Sequence, residues 1–116
     1  MEKELILKNV QGVLETFGID QAEYIQSLIE LEADIKEQIE ATRVAINDEK
    51  DAHETFIYAI YAIIGSTESL GLEYTFKKSK ELEKSYKDAL DDNALENIDE
   101  LINIFEQEIT VIREDK

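Results

Sequence analysis

The sequence predicts an all-α fold, an antiparallel up-down four-helix bundle with an additional N-terminal helix, and three observations carry the prediction. No proline and only four glycines interrupt the 116 residues. Apolar side chains recur at intervals of three and four along nearly the whole chain, which is the spacing of one face of a helix. The breaks between these periodic segments are short, so consecutive helices must turn back on one another. A chain of this length is expected to form a single domain spanning residues 1–116.

The first helix is marked by Ile6, Val10, Val13 and Phe17, a stripe that should face the core. Gly18 follows it, at a position where helices often end on a left-handed residue. Asp20 with Glu23 three residues on forms the signature of a capping box. It opens a second helix over about Gln21 to Ile46, with Ile25, Leu28, Ile35, Ile39 and Ile46 as its inner stripe. Asn47-Asp48 ends that helix and can cap the next. The third helix, about Glu49 to Leu70, carries Phe56, Ile60, Ile63, Thr67 and Leu70 on one face. Ile57, Tyr61, Ile64, Gly65 and Glu68 lie on another, so its middle is apolar nearly all round. Gly71 can close it. The fourth helix is expected from Glu73 to Leu90, with Phe76, Leu82, Tyr86 and Leu90 inward and Ser79 between them. The fifth begins at Asn93 as N-cap with Glu96 as box partner, and runs through Leu95, Ile98, Ile102, Phe105, Ile109 and Ile112.

Composition removes several classes of function. The net charge is −16, which argues against nucleic acid and against anionic membrane surfaces as partners, since both need clustered cations. There is no cysteine, hence no disulfide framework, thiol nucleophile or cysteine metal site. The N-terminus lacks a basic lead followed by an apolar run, so it does not read as a signal peptide. The longest uncharged run, Thr55 to Thr67, is too short to span a bilayer. A cytoplasmic protein is the simplest expectation. No metal is expected: a di-iron bundle needs Glu-x-x-His pairs, and Lys50 stands three residues before His53, the only histidine. No cofactor motif is present either, neither a Gly-rich phosphate loop nor a Ser-His-Asp set.

Residues 61–71 read Tyr-Ala-Ile-Ile-Gly-Ser-Thr-Glu-Ser-Leu-Gly. They resemble the central motif of histidine-containing phosphotransfer (HPt) domains, His-x-Leu-Lys-Gly-Ser-Ser-x-x-Leu-Gly. Ile63, Gly65, Ser66, Leu70 and Gly71 stand where that pattern has Leu, Gly, Ser, Leu and Gly, and Thr67 replaces the second Ser. Tyr61 stands at the phospho-accepting His and Ile64 at the Lys. Outside the motif, the segment from Phe17 to Ile29 looks like the start of the family's second helix. Lys80-Glu-Leu-Glu-Lys is similar to a Leu-Glu run on its fourth. The resemblance implies a module of two-component phosphorelay signalling whose partner is a response-regulator receiver domain or a histidine kinase.

The chemistry of relay is another matter. A phosphoryl carrier needs a nucleophile that is neutral and free at pH 7 and that gives the group up again, which suits imidazole. A phenol is almost wholly protonated at that pH, and a phosphotyrosine ester is stable. Ile64 cannot neutralise phosphate charge as a lysine would. With Tyr61 and Ile64 in place no catalytic site is intact, and the resemblance then implies docking on a receiver or kinase without relay. The residues expected to contact such a partner are Ile57, Tyr61, Ile64, Gly65 and Glu68.

Two readings of this surface stay open on sequence grounds. Gly65 leaves room either for a docked protein or for Tyr61 or a neighbouring helix to fill. The stripe Ile57–Tyr61–Ile64 is either an exposed interaction patch or a core face covered by the first helix. Two further features have a bland and a sharp reading. His53 is a surface histidine of an acidic helix or a substitute phospho-acceptor. Lys77, Lys78, Lys80, Lys84 and Lys87 are a solvated face paired to nearby carboxylates or a docking strip.

Overall fold

Five helices follow one another in a computed structural model that describes residues 1–114: α1 (Lys3–Phe17), α2 (Gln21–Asn47), α3 (Ala52–Leu70), α4 (Glu73–Ser85) and α5 (Ala94–Glu114). No strand occurs among the described residues. The molecule measures 43 × 23 × 22 Å, its long axis close to the ~40 Å that a 27-residue helix spans.

Local chemistry sets several of the boundaries. Gly18 takes φ 63° and its N–H returns to the carbonyl of Leu14. Asp20 caps α2 by accepting from the Glu23 N–H at 2.8 Å, and the Asp20 N–H donates to the Glu23 carboxylate at 3.3 Å. Gly71 takes φ 70° at the end of α3. Other boundaries differ from expectation. α3 starts at Ala52 rather than Glu49, because Glu49 and Asp51 turn through left-handed conformations (φ 51° and 52°). Neither Asn47-Asp48 nor Asp51 gives α3 a side-chain cap. α4 stops at Ser85, five residues short of Leu90. The box expected of Asn93 and Glu96 is absent. Instead Asp91 accepts from the Asn93 N–H and from the Tyr86 hydroxyl, both at 2.9 Å.

Long-range bonds define how the helices run. Tyr24 at the start of α2 meets Leu70 at the end of α3. His53 at the start of α3 meets Tyr86 just past α4. Thr75 at the start of α4 meets Glu108 late in α5. Arg43 late in α2 pairs with Asp99 early in α5 at 2.5 Å. Each pairing joins one helix's beginning to its neighbour's end, so α2, α3, α4 and α5 are antiparallel in turn and α5 closes on α2. α1 lies across this ring on α5 and on the C-terminal end of α3. There a Cβ on Gly71 would sit 2.9 Å from Val13 Cγ2 and 3.2 Å from the Asn9 carbonyl.

A single hydrophobic cluster fills the interior, led by Tyr24, Leu28, Phe56, Ile60, Ile63, Leu72, Ile98, Leu101 and Phe105. Phe17, the last residue of α1, is not part of it and is 61% exposed. In α2 the buried stripe is Tyr24, Leu28, Leu31, Ile35, Ile39 and Thr42, with Ile25 and Ile46 only half-buried beside it. Phe76, Leu90, Leu95 and Ile102 are also half-buried rather than core. No described helix is long and apolar enough to cross a membrane.

Candidate functional site

α3 directs Phe56, Ala59, Ile60, Ile63 and Thr67 into the core. The face opposite that stripe therefore carries Tyr58, Tyr61, Ala62 and Gly65, at helical spacing. Tyr58 is 70% and Tyr61 60% exposed. α1 does not cover them, because it sits at the Gly71 end of the helix. Of the expected contact residues, Tyr61, Gly65 and Glu68 are exposed, while Ile57 and Ile64 are half-buried and pack against the core. The apolar stripe thus splits, and its outward part runs through Tyr58 and Tyr61. Tyr58 lies three residues from Tyr61 on the same face, a relation that sequence spacing could have flagged.

Most of the motif is explained by packing. Ile63 is buried, and the Thr67 hydroxyl is turned inward, donating to the Ile63 carbonyl at 2.7 Å. Gly71 is required by its left-handed conformation and by the approach of α1. Gly65 is different. A Cβ built there meets nothing within 4 Å, so neither Tyr61 nor a neighbouring helix fills the space beside it. A glycine inside a helix costs roughly 0.5–1 kcal/mol against alanine, and the fold itself draws no packing benefit from it here.

Tyr61 stands on a ridge between two grooves. On the α4 side is an open groove of about 960 Å³, with Phe76 beside Tyr61 and four lysines, Lys77, Lys80, Lys84 and Lys87, along it. On the α2 side is a shallower groove of about 480 Å³ that takes in Gly65 and Ser66 and is edged by Glu30 and Asp34. No imidazole lines either groove, so Tyr61 has no histidine base to take its proton.

His53 lies apart from this face. Its Nε2 donates to the Tyr86 carbonyl at 2.7 Å, tying the start of α3 to the end of α4. That bond uses one ring nitrogen for structure. The lysine strip divides likewise. Lys78 is largely covered and pairs with Glu100 across to α5 at 3.4 Å. Lys77 and Lys80 pair loosely with Glu73 and Glu83 on their own helix, at 3.5 and 3.4 Å.

Glu108 gave no signal in sequence, where it reads as one of many surface glutamates. It is buried. Its carboxylate accepts from the N–H groups of Tyr74 and Thr75 at 3.1 and 2.9 Å and from the Thr75 hydroxyl at 2.7 Å. α4 has no side-chain cap of its own at Leu72, so α5 supplies one.

No protein-family model, curated protein or solved structure matches the chain.

Proposed function

We propose that this chain is an HPt-like module of a two-component phosphorelay, one that docks on a receiver or kinase domain through the outward face of α3 without relaying phosphate. The observation that carries the reading is Gly65: open space lies over it, beside a 60% exposed Tyr61, at the motif position where a partner must approach closely. The antiparallel ring of α2 to α5, with α1 laid across it, supports the same family. The occupied Nε2 of His53 speaks for a docking module rather than a carrier acting through a second site.

The test uses isolated receiver domains. Heteronuclear NMR titration should shift the amides of Tyr58, Tyr61, Ala62 and Gly65. Phosphorylated receivers should leave the wild-type chain unlabelled, whereas Tyr61→His combined with Ile64→Lys should acquire acid-labile label. Label on the wild-type chain would overturn the absence of relay. Failure of the wild type to bind, together with failure of the double variant to take label, would overturn the docking itself.

A further inference from the structure

The α3–α4 groove concentrates positive charge in a chain of net charge −16. Lys77, Lys80 and Lys84 follow one another at helical spacing down its α4 side, and Lys87 stands in the turn just past the end of α4. Lys77 and Lys80 pair with Glu73 and Glu83, Lys84 and Lys87 form no ion pair among the described residues, and only Glu81 and Glu83 dilute the lysines along the groove. Its apolar part is the exposed ring of Tyr61 with the half-buried ring of Phe76. A row of solvated cations alone would be an ordinary helix surface. Here the row borders one exposed and one half-buried aromatic ring.

We infer that this groove binds an acidic segment of a protein partner, with one apolar side chain of that segment seated between Tyr61 and Phe76 and its carboxylates on the lysines. The inference rests on the outward face of α3 being a docking face, and it adds the chemistry of what docks there. Charge complementarity selects the partner. The lysines on α4 itself, 77 to 84, extend about 10 Å at helical rise, enough for roughly three extended residues, and Lys87 stands in the turn just beyond them. A short acidic segment satisfies that row and then leaves the surface. A polynucleotide, charged every ~3.4 Å along each strand, would continue onto a surface that is negative elsewhere. Lysines bind as point charges without a fixed geometry, so the apolar side chain sets register and the lysines set the sign.

The probe is a fluorescein-labelled twelve-residue peptide of Asp and Glu with a central Phe, followed by anisotropy at physiological salt. The full chain should bind it, and Phe→Ser in the peptide or Tyr61→Ser in the protein should weaken binding severalfold. Lys84→Glu with Lys87→Glu should weaken it about tenfold. Lys3→Glu with Lys8→Glu, the same charge change on α1, should stay within twofold. Circular dichroism checks that each variant is folded. Equal losses from the two double variants, no binding of the peptide, or tighter binding of a twelve-residue oligothymidylate would overturn the proposal. Receiver domains titrated against the same variants keep the two ideas apart. If receivers bind wild type and Lys84→Glu, Lys87→Glu equally and the peptide binds neither, the groove is refuted and the docking face stands.

Discussion

The hydroxyl of Tyr24 donates to the carbonyl oxygen of Leu70 at 2.6 Å, so the first turn of α2 holds the last turn of α3. Carbonyls at a helix end have no partner within the helix, and this one is met by a side chain from 46 positions earlier. Burial raises the Tyr24 phenol far above its usual range, and the Glu108 carboxylate adds to the effect, so the group stays a donor. Tyr24→Phe should lower stability by about 1–2 kcal/mol through the unpaired carbonyl. Urea denaturation measures it, and NMR shifts on the exposed face of α3 should stay as in wild type.

Glu108 makes stability depend on pH. Burial raises its pKa, hydrogen bonds from Thr75 and Tyr74 pull it partly back, and the charge of Glu73 pushes it up. Its folded pKa is above the unfolded one, so the native state binds the extra proton. The stability it confers is complete below the unfolded value, near ~4.3, and is lost as pH rises through the folded value. Glu32 has the opposite sign: burial opposes ionisation, but Arg113 and Lys36 outweigh it and hold its pKa low. Denaturant midpoints between pH 4 and 8 should therefore be compared for wild type and Glu108→Gln. Their difference should narrow as pH rises, because Gln has no proton to lose.

Gly65→Ala should stabilise the protein by roughly 0.5–1 kcal/mol, since the residue is helical and a Cβ there touches nothing. Gly65→Phe should fold as well yet weaken receiver binding at least tenfold by filling the space over the helix. Thermal melts and the NMR titration read the two effects separately.

Gly71→Ala should behave in the reverse sense. The residue has φ 70°, and its Cβ would meet Val13 at 2.9 Å and backbone at 3.2 Å. A loss of about 1–3 kcal/mol is expected from strain, with α1 loosened from the ring. Hydrogen exchange of the α1 amides should speed up more than that of α2.

Helix number, order and direction were legible because apolar spacing and short breaks speak directly of buried faces. In α5, Ile98, Phe105, Ile109 and Ile112 of the expected stripe are buried, while Ala94, Leu101 and Glu108 take the inward places beside the half-buried Leu95 and Ile102. In α2 the stripe was read one position late at its start, Ile25 for Tyr24, and one turn too far at its end, Ile46 for Thr42, because Tyr24 and Thr42 look polar by type yet bury through hydrogen bonds. The end of α4 was missed because Tyr86 and Leu90 keep helical spacing after the helix stops, while Asp91 rebuilds the turn around the Tyr86 hydroxyl. On α3, spacing put Tyr61 and Gly65 on a different face from Ile60 and Ile63 but left open whether that face was exposed or covered by the first helix. It could not show that Ile57 and Ile64 lean inward, since that depends on where α2 and α4 stand.

The cap that α5 lends to α4 has a consequence in time. α4 is 13 residues long and has no side-chain cap at its own N-terminus, and helices of that length are marginal alone. Glu108, which closes its first turn, is encoded 33 positions after Thr75. During synthesis α2 and α3 can pair while α5 is still unmade, but α4 receives its cap only after Glu108 has left the ribosome. The α3–α4 groove thus takes its final form later than the α2–α3 pairing, and a nascent chain that stops before α5 would hold α4 without its cap.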